Sequence, residues 1–173
     1  MKKLYTLVAV IISLHAFSQG QFQNETAGSI SFAAGQVQQL AAAFPAENYA
    51  WTPQEGIRSV TQVCTHIISA NYFFASKLGA TLPADVNMEA LEKSLTTKDA
   101  IAKELKRSFD VISTTIKNTK DESLKEAVEF PFPGQYTKMS ASLIALSHAN
   151  EHLGQLIAYA RTTGVVPPWS QTD

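Results

Sequence analysis

Residues 147–161 read Ser-His-Ala-Asn-Glu-His-Leu-Gly-Gln-Leu-Ile-Ala-Tyr-Ala-Arg, SHANEHLGQLIAYAR. Apolar residues recur there at helical spacing, and no proline interrupts them, so the stretch reads as helix. His148 and His152 stand four positions apart, which stacks both imidazoles on one helical face. Two imidazoles converging on one point are half of a metal site. The helix extends both ways, from just after Thr137 to near Thr163, with Gly164 as its stop signal. Leu143, Leu146, Leu153 and Ile157 line one side. Ile144, His148, His152, Gln155 and Tyr159 line an adjacent one. So wide an apolar arc predicts a central helix.

Three more helices precede this fourth one. In helix 3, Ile101, Leu105, Phe109, Ile112 and Ile116 form one stripe, with Lys and Glu on the other faces. That is the pattern of a bundle helix with one wet side. Thr96 followed by Asp99 is its cap signal. Helix 2 is expected from Pro53, capped by Thr52 with Glu55 three residues on, to about Leu78, where Gly79 stops it. Helix 1 is expected from Ile30 to Phe44, before Pro45. Residues 81–96 form a long connection with a short helix expected at Met88 to Lys93. A second connection, 121–136, contains Phe130-Pro131-Phe132-Pro133-Gly134, which excludes a continuous helix. No strand pattern emerges. The fold expected is an all-α four-helix bundle of up-down type, with long connections after helices 2 and 3.

The first 18 residues read as a signal peptide. Lys2 and Lys3 precede a short apolar run, Leu4 to Leu14, and Ala16-Phe17-Ser18 offers small residues where a peptidase reads them. Cleavage before Gln19 leaves residues 19–173 as one domain, periplasmic or secreted. The run is too short for a stable membrane anchor. Two of the 14 basic residues lie in the leader, leaving 12 against 15 acids. A net negative chain without a basic stripe argues against nucleic acid as partner. Cys64 is the only cysteine, so no intrachain disulfide forms and the fold stands on its core.

His66, in helix 2, is the only other histidine after the leader. A third ligand from a facing helix would complete a three-histidine centre with one position open. The alternative is a polar patch, or core histidines bonded to backbone, and a packed core histidine is the plainer reading of His66. The string HANEH is not the HExxH of zinc proteases, so Glu151 is not placed as that motif's base. Cys64, two residues from His66, points elsewhere and reads as core. Asn71, Asn150, Gln155 and Tyr159 are candidates to line the site. Gly35 and Gly154 fall inside helices, where glycine costs about 1 kcal/mol against alanine. Close packing, or room near a metal for Gly154, would compensate.

Residues 148–168, HANEHLGQLIAYARTTGVVPP, resemble the closing signature of the DinB-like proteins, metal-binding four-helix bundles of the DinB/YfiT type. The upstream stretch Tyr49-Ala-Trp51, Gly56-Ile-Arg58-Ser59-Val60, His66 and Ala70-Asn71-Tyr72 resembles their second helix and its lead-in. The resemblance spans residues 28 to 169. It implies a divalent metal such as Zn or Ni held by three histidines, matching His66, His148 and His152, and frequent homodimers. It also implies, for some relatives, thiol-dependent transferase or isomerase chemistry in the cytosol, from which an exported chain stands apart. The function expected is a metal-dependent hydrolase or transferase acting on a small molecule, with Glu151, the nearest acid in sequence, as candidate proton acceptor. The alternatives are a non-catalytic periplasmic metal- or ligand-binding bundle and a purely structural one.

Overall fold

Four long helices carry the chain: α1 Gln21–Ala43, α2 Val60–Lys77, α3 Lys98–Asn118 and α4 Lys138–Thr162. They come from a computed structural model that describes residues 20–171. The leader, 1–18, lies outside the described residues. α1 and α2 each pack against both α3 and α4, so the order around the bundle is α1, α3, α2, α4. The architecture is the all-α four-helix bundle expected. No helix among the described residues is long and apolar enough to cross a membrane.

α3 follows its periodicity. Ile101, Leu105, Phe109, Ile112 and Ile116 are all buried. Its cap is Thr97, one residue later than expected, and the Thr97 hydroxyl accepts from the Ala100 N–H. α1 begins at Gln21, not Ile30. Its extra turns bury polar residues, Gln23 and Thr26, which hid the stripe from a hydrophobicity reading. Gln23 Nε2 donates to the Thr119 carbonyl and to the Asp121 carboxylate, which docks the start of α1 on the end of α3.

α2 starts at Val60 and not at Pro53. Gly56 has φ +81°, a left-handed conformation that a right-handed helix from Pro53 does not pass through. Ser59 and Gln62 instead form a reciprocal cap. The Ser59 hydroxyl accepts from the Gln62 N–H, and Gln62 Oε1 accepts from the Ser59 N–H. That satisfies two donors at once. Thr52 closes the preceding turn, its hydroxyl lying against the carbonyls of Gln54 and Ile57.

The connection after α2 holds a single helical turn, Leu91–Ser94, later than expected. The connection after α3 holds a pair of two-residue strands that the sequence did not announce. β1 Ala127–Val128 and β2 Tyr136–Thr137 are antiparallel, with Ala127 opposite Thr137. The proline-rich tip between them closes at Gly134, where a Cβ would collide with the Tyr136 ring. Phe130, from the same tip, packs against Phe73 and Phe74 of α2.

α4 keeps its expected limits, with Thr137 as cap, but not its expected faces. The buried positions are Ala141, Ser142, Ala145, Ala149, His152, Leu153, Leu156, Tyr159 and Ala160. Leu143 is 49% exposed, and Leu146 and Ile157 are only half-buried. Small residues take most of the core positions toward the start of α4, so Leu143 and Leu146 fall to the rim there. A Cβ at Gly35 or Gly154 would meet nothing within 4 Å, so neither glycine is required by close packing.

Candidate metal centre

α2 and α4 are neighbours, and their facing sides bring the three histidines together. Ring centroids are 4.9 Å apart for His66 and His148, 4.8 Å for His66 and His152, and 4.3 Å for His148 and His152. One ligating nitrogen from each ring lies within 4.8 Å of the others. His66 Nε2 and His148 Nε2 are 3.1 Å apart. Two nitrogens bound tetrahedrally to one ion at about 2.0–2.1 Å would stand about 3.3 Å apart, a spacing close to that of the His66–His148 pair. Among the described residues this is the only group of three or more such donors.

Burial favours the neutral rings. It lowers the His148 pKa to about 3, helped by His152, His66 and Arg58. It lowers His66 to about 4, helped by Arg58 and His152. Neutral imidazole is the form that binds metal. Phe74 sets its ring against His148 with centroids 5.8 Å apart, and Phe130 covers Phe74. These rings shield one side of the centre.

His152 is oriented by a chain of hydrogen bonds whose direction is decided at its far end. The Arg58 carbonyl can only accept, so Tyr159 O–H donates to it at 3.0 Å. The Tyr159 oxygen then accepts from Gln155 Nε2 at 2.9 Å. That turns Gln155 Oε1 toward His152 Nδ1 at 2.8 Å, and an amide oxygen there requires the proton on Nδ1. His152 Nε2 keeps its lone pair for the centre. Such an outer partner fixes both tautomer and ring angle. Trp51 packs edge-on to Tyr159, centroids 5.1 Å apart, and steadies the chain.

Gln155, three residues past His152, and Tyr159, four past Gln155, are joined to the centre by this chain. The other candidates stand elsewhere. Asn71 is buried and donates to Ser108 Oγ at 3.2 Å, tying α2 to α3. Asn150 is exposed and bonds the Leu146 carbonyl on its own helix. Glu151 is exposed, turned by about 100° around α4 from its neighbour His152, and does not join the histidines. Cys64 is fully buried in the core, where burial pushes its thiol up to about 12. Arg58 and Trp51 are the residues that sequence reasoning missed as site components. Trp51 lies in the turn ahead of the expected helix start, and Arg58 lies where the sequence predicts the first turns of helix 2.

A cleft of about 650 Å³ opens beside the centre, lined by Gly56, Ile57, Arg58, Gln62 and Gln155. None of the three histidines lines it, but Gln155 is shared between the cleft and the chain to His152, so the cleft reaches the outer hydrogen-bond partner of the centre.

Known proteins share this architecture. The profile of the family described as "DinB family" matches residues 19–172. A DinB-like protein of Bacillus cereus is 16% identical, with a TM-score of 0.70, covering 83% of this chain and 93% of that one. A DinB-like protein of Bacillus subtilis is 17% identical, with a TM-score of 0.65, covering 82% and 93%. A conserved protein of Enterococcus faecalis is 16% identical, with a TM-score of 0.61, covering 80% and 94%. At these identities the likeness is one of fold. No curated protein matches the chain.

The depressed histidines make a prediction about pH. The unfolded chain protonates His66 and His148 near the ordinary value of 6.5, the folded chain only near 4 and 3. The stability they contribute is complete above 6.5 and is lost as pH falls from there toward 4. The melting temperature of metal-free protein should fall between pH 6.5 and 4.5. In His148→Gln, which removes one of the two depressed rings, the fall should be smaller. Equal falls in the two proteins would contradict the assignment.

Proposed function

The chain belongs to the DinB family, and from that membership we propose a divalent-metal-dependent enzyme, a hydrolase or transferase acting on a small molecule. The observation that carries this is the convergence of three imidazole nitrogens from two helices beside an open cleft. His66, His148 and His152 would hold the ion, and an all-imidazole set suits zinc or nickel. When bound, such an ion supplies Lewis-acid polarisation of a substrate heteroatom, with a coordination position left open by three protein donors.

The chain's own residues do the rest. Gln155, Tyr159 and the Arg58 carbonyl hold the His152 proton on Nδ1, so its lone pair stays aimed inward. Phe74 and Phe130 keep water from one flank, and the cleft admits substrate from the other. Glu151, being exposed, would take up a proton only through intervening water. That placement favours the second reading, a non-catalytic metal- or ligand-binding bundle, which an activity screen separates from the first.

Zinc titrated into chelator-treated protein should bind one ion per chain. His152→Ala should abolish binding, and Gln155→Leu should weaken it by about 10–100-fold through loss of the outer partner. The metal-free protein should remain folded at room temperature, because its core does not depend on the ion, and zinc should raise its melting temperature. Absence of zinc binding would overturn the metal centre. A chelated wild type that is unfolded would make the ion structural rather than catalytic. Turnover of ester, amide or thiol-conjugate substrates by the loaded protein alone would support the enzyme, and its absence across the screen the binding bundle.

We further propose that the protein is exported, with Gln19 as its first mature residue. Lys2-Lys3, the apolar run and Ala16-Phe17-Ser18 support this. N-terminal sequencing of protein from the native host should read from Gln19, and an intact Met1 on cytosolic protein would contradict it.

A further inference from the structure

The cleft beside the histidines offers hydrogen-bond donors to whatever enters it. Gln62 is exposed and its Oε1 is committed to the Ser59 N–H, which leaves its Nε2 hydrogens for a ligand. Gln155 has its Oε1 against His152 and one Nε2 hydrogen on Tyr159, which leaves a second N–H. Arg58 is exposed and can only donate. Among the described residues no carboxylate pairs with its guanidinium. None of the five lining residues is acidic. The cleft also lies at the N-terminal end of α2, whose dipole adds partial positive charge.

Arg58 is tied to the centre twice. Its carbonyl ends the hydrogen-bond chain that orients His152, so its backbone is placed relative to the imidazoles. Its charge is felt at both His66 and His148, so the guanidinium is within electrostatic reach of them.

We infer that Arg58 receives the carboxylate of a small monoanionic substrate whose reacting heteroatom sits at the three-histidine centre. A guanidinium presents a planar fork of donors that matches a carboxylate in two parallel bonds. One cation flanked by neutral amide donors balances one negative charge. Arg58 thereby selects the charge of the substrate and sets which end faces the histidines. This rests on the metal-centre reading proposed above.

The test uses cobalt(II)-loaded protein and straight-chain ω-mercapto acids with three to six methylenes, each beside its uncharged amide. The thiolate-to-cobalt absorption band reports the sulfur on the metal. For at least one chain length the acid should bind about tenfold or more tightly than its amide. Arg58→Gln should bring that ratio to about one, and Arg58→Lys should keep part of it. The Tyr159 bond goes to the backbone, so these substitutions leave the chain to His152 in place, which an unchanged melting temperature would verify. A ratio near one at every length in the wild type overturns the inference, as does a preference that survives Arg58→Gln. No thiolate band with any probe on cobalt-loaded protein also overturns the inference, whereas failure to take up cobalt overturns the metal centre itself and this inference with it.

Discussion

The approach of His66 to His148 is the constraint on which the rest of the site depends. Two ring nitrogens 3.1 Å apart in a half-buried place exclude a pair of charged rings, which would repel in a low dielectric. The bundle enforces the approach. α2 carries His66 among Val63, Cys64 and Ile67, all fully buried, so its ring position follows from the packing of its helix. α4 carries the pair on a side where Ala145 and Ala149 let the helix come close. Core packing thus brings the three donors together, in contrast to small zinc domains, where the ion organises the chain.

Directionality is the second element. A backbone carbonyl has no proton to give, so the chain Arg58, Tyr159, Gln155, His152 runs one way only. The same accounting that points the His152 lone pair inward leaves spare donors at Gln155 and Gln62 facing the cleft. The turn at 51–59 therefore contributes twice, holding an imidazole through a carbonyl and presenting a cation through a side chain. Gly56 makes that possible, because its left-handed φ ends the turn just ahead of the Ser59 cap.

Much of this was legible in the sequence, and the exceptions have physical reasons. The stripe of α3 and the Thr137 cap of α4 could be read because the amphipathic period and the cap chemistry agree there. The first turns of α1 could not, because Gln23 and Thr26 are polar residues buried by specific hydrogen bonds. α2 was started too early because Pro53 and Thr52 imitate a helix start, whereas the Ser59–Gln62 pair is the real one. Alanine misled the reading of α4, where Leu143 looked more like core than Ala145 does. The two histidines of α4 were visible as a local spacing, and His66 was joined to them by a family resemblance. Glu151 was nominated for nearness along the chain, but on a helix the residue at i+3 is the neighbour, and Gln155 is that residue.

X-ray absorption at the metal edge of zinc-loaded protein tests the central claim most directly. The three-histidine centre predicts a shell of three imidazole nitrogens, with its characteristic outer-ring scattering, at about 2.0–2.1 Å, completed by one non-protein light atom. A sulfur shell at about 2.3 Å, or an all-oxygen shell without imidazole scattering, would contradict it.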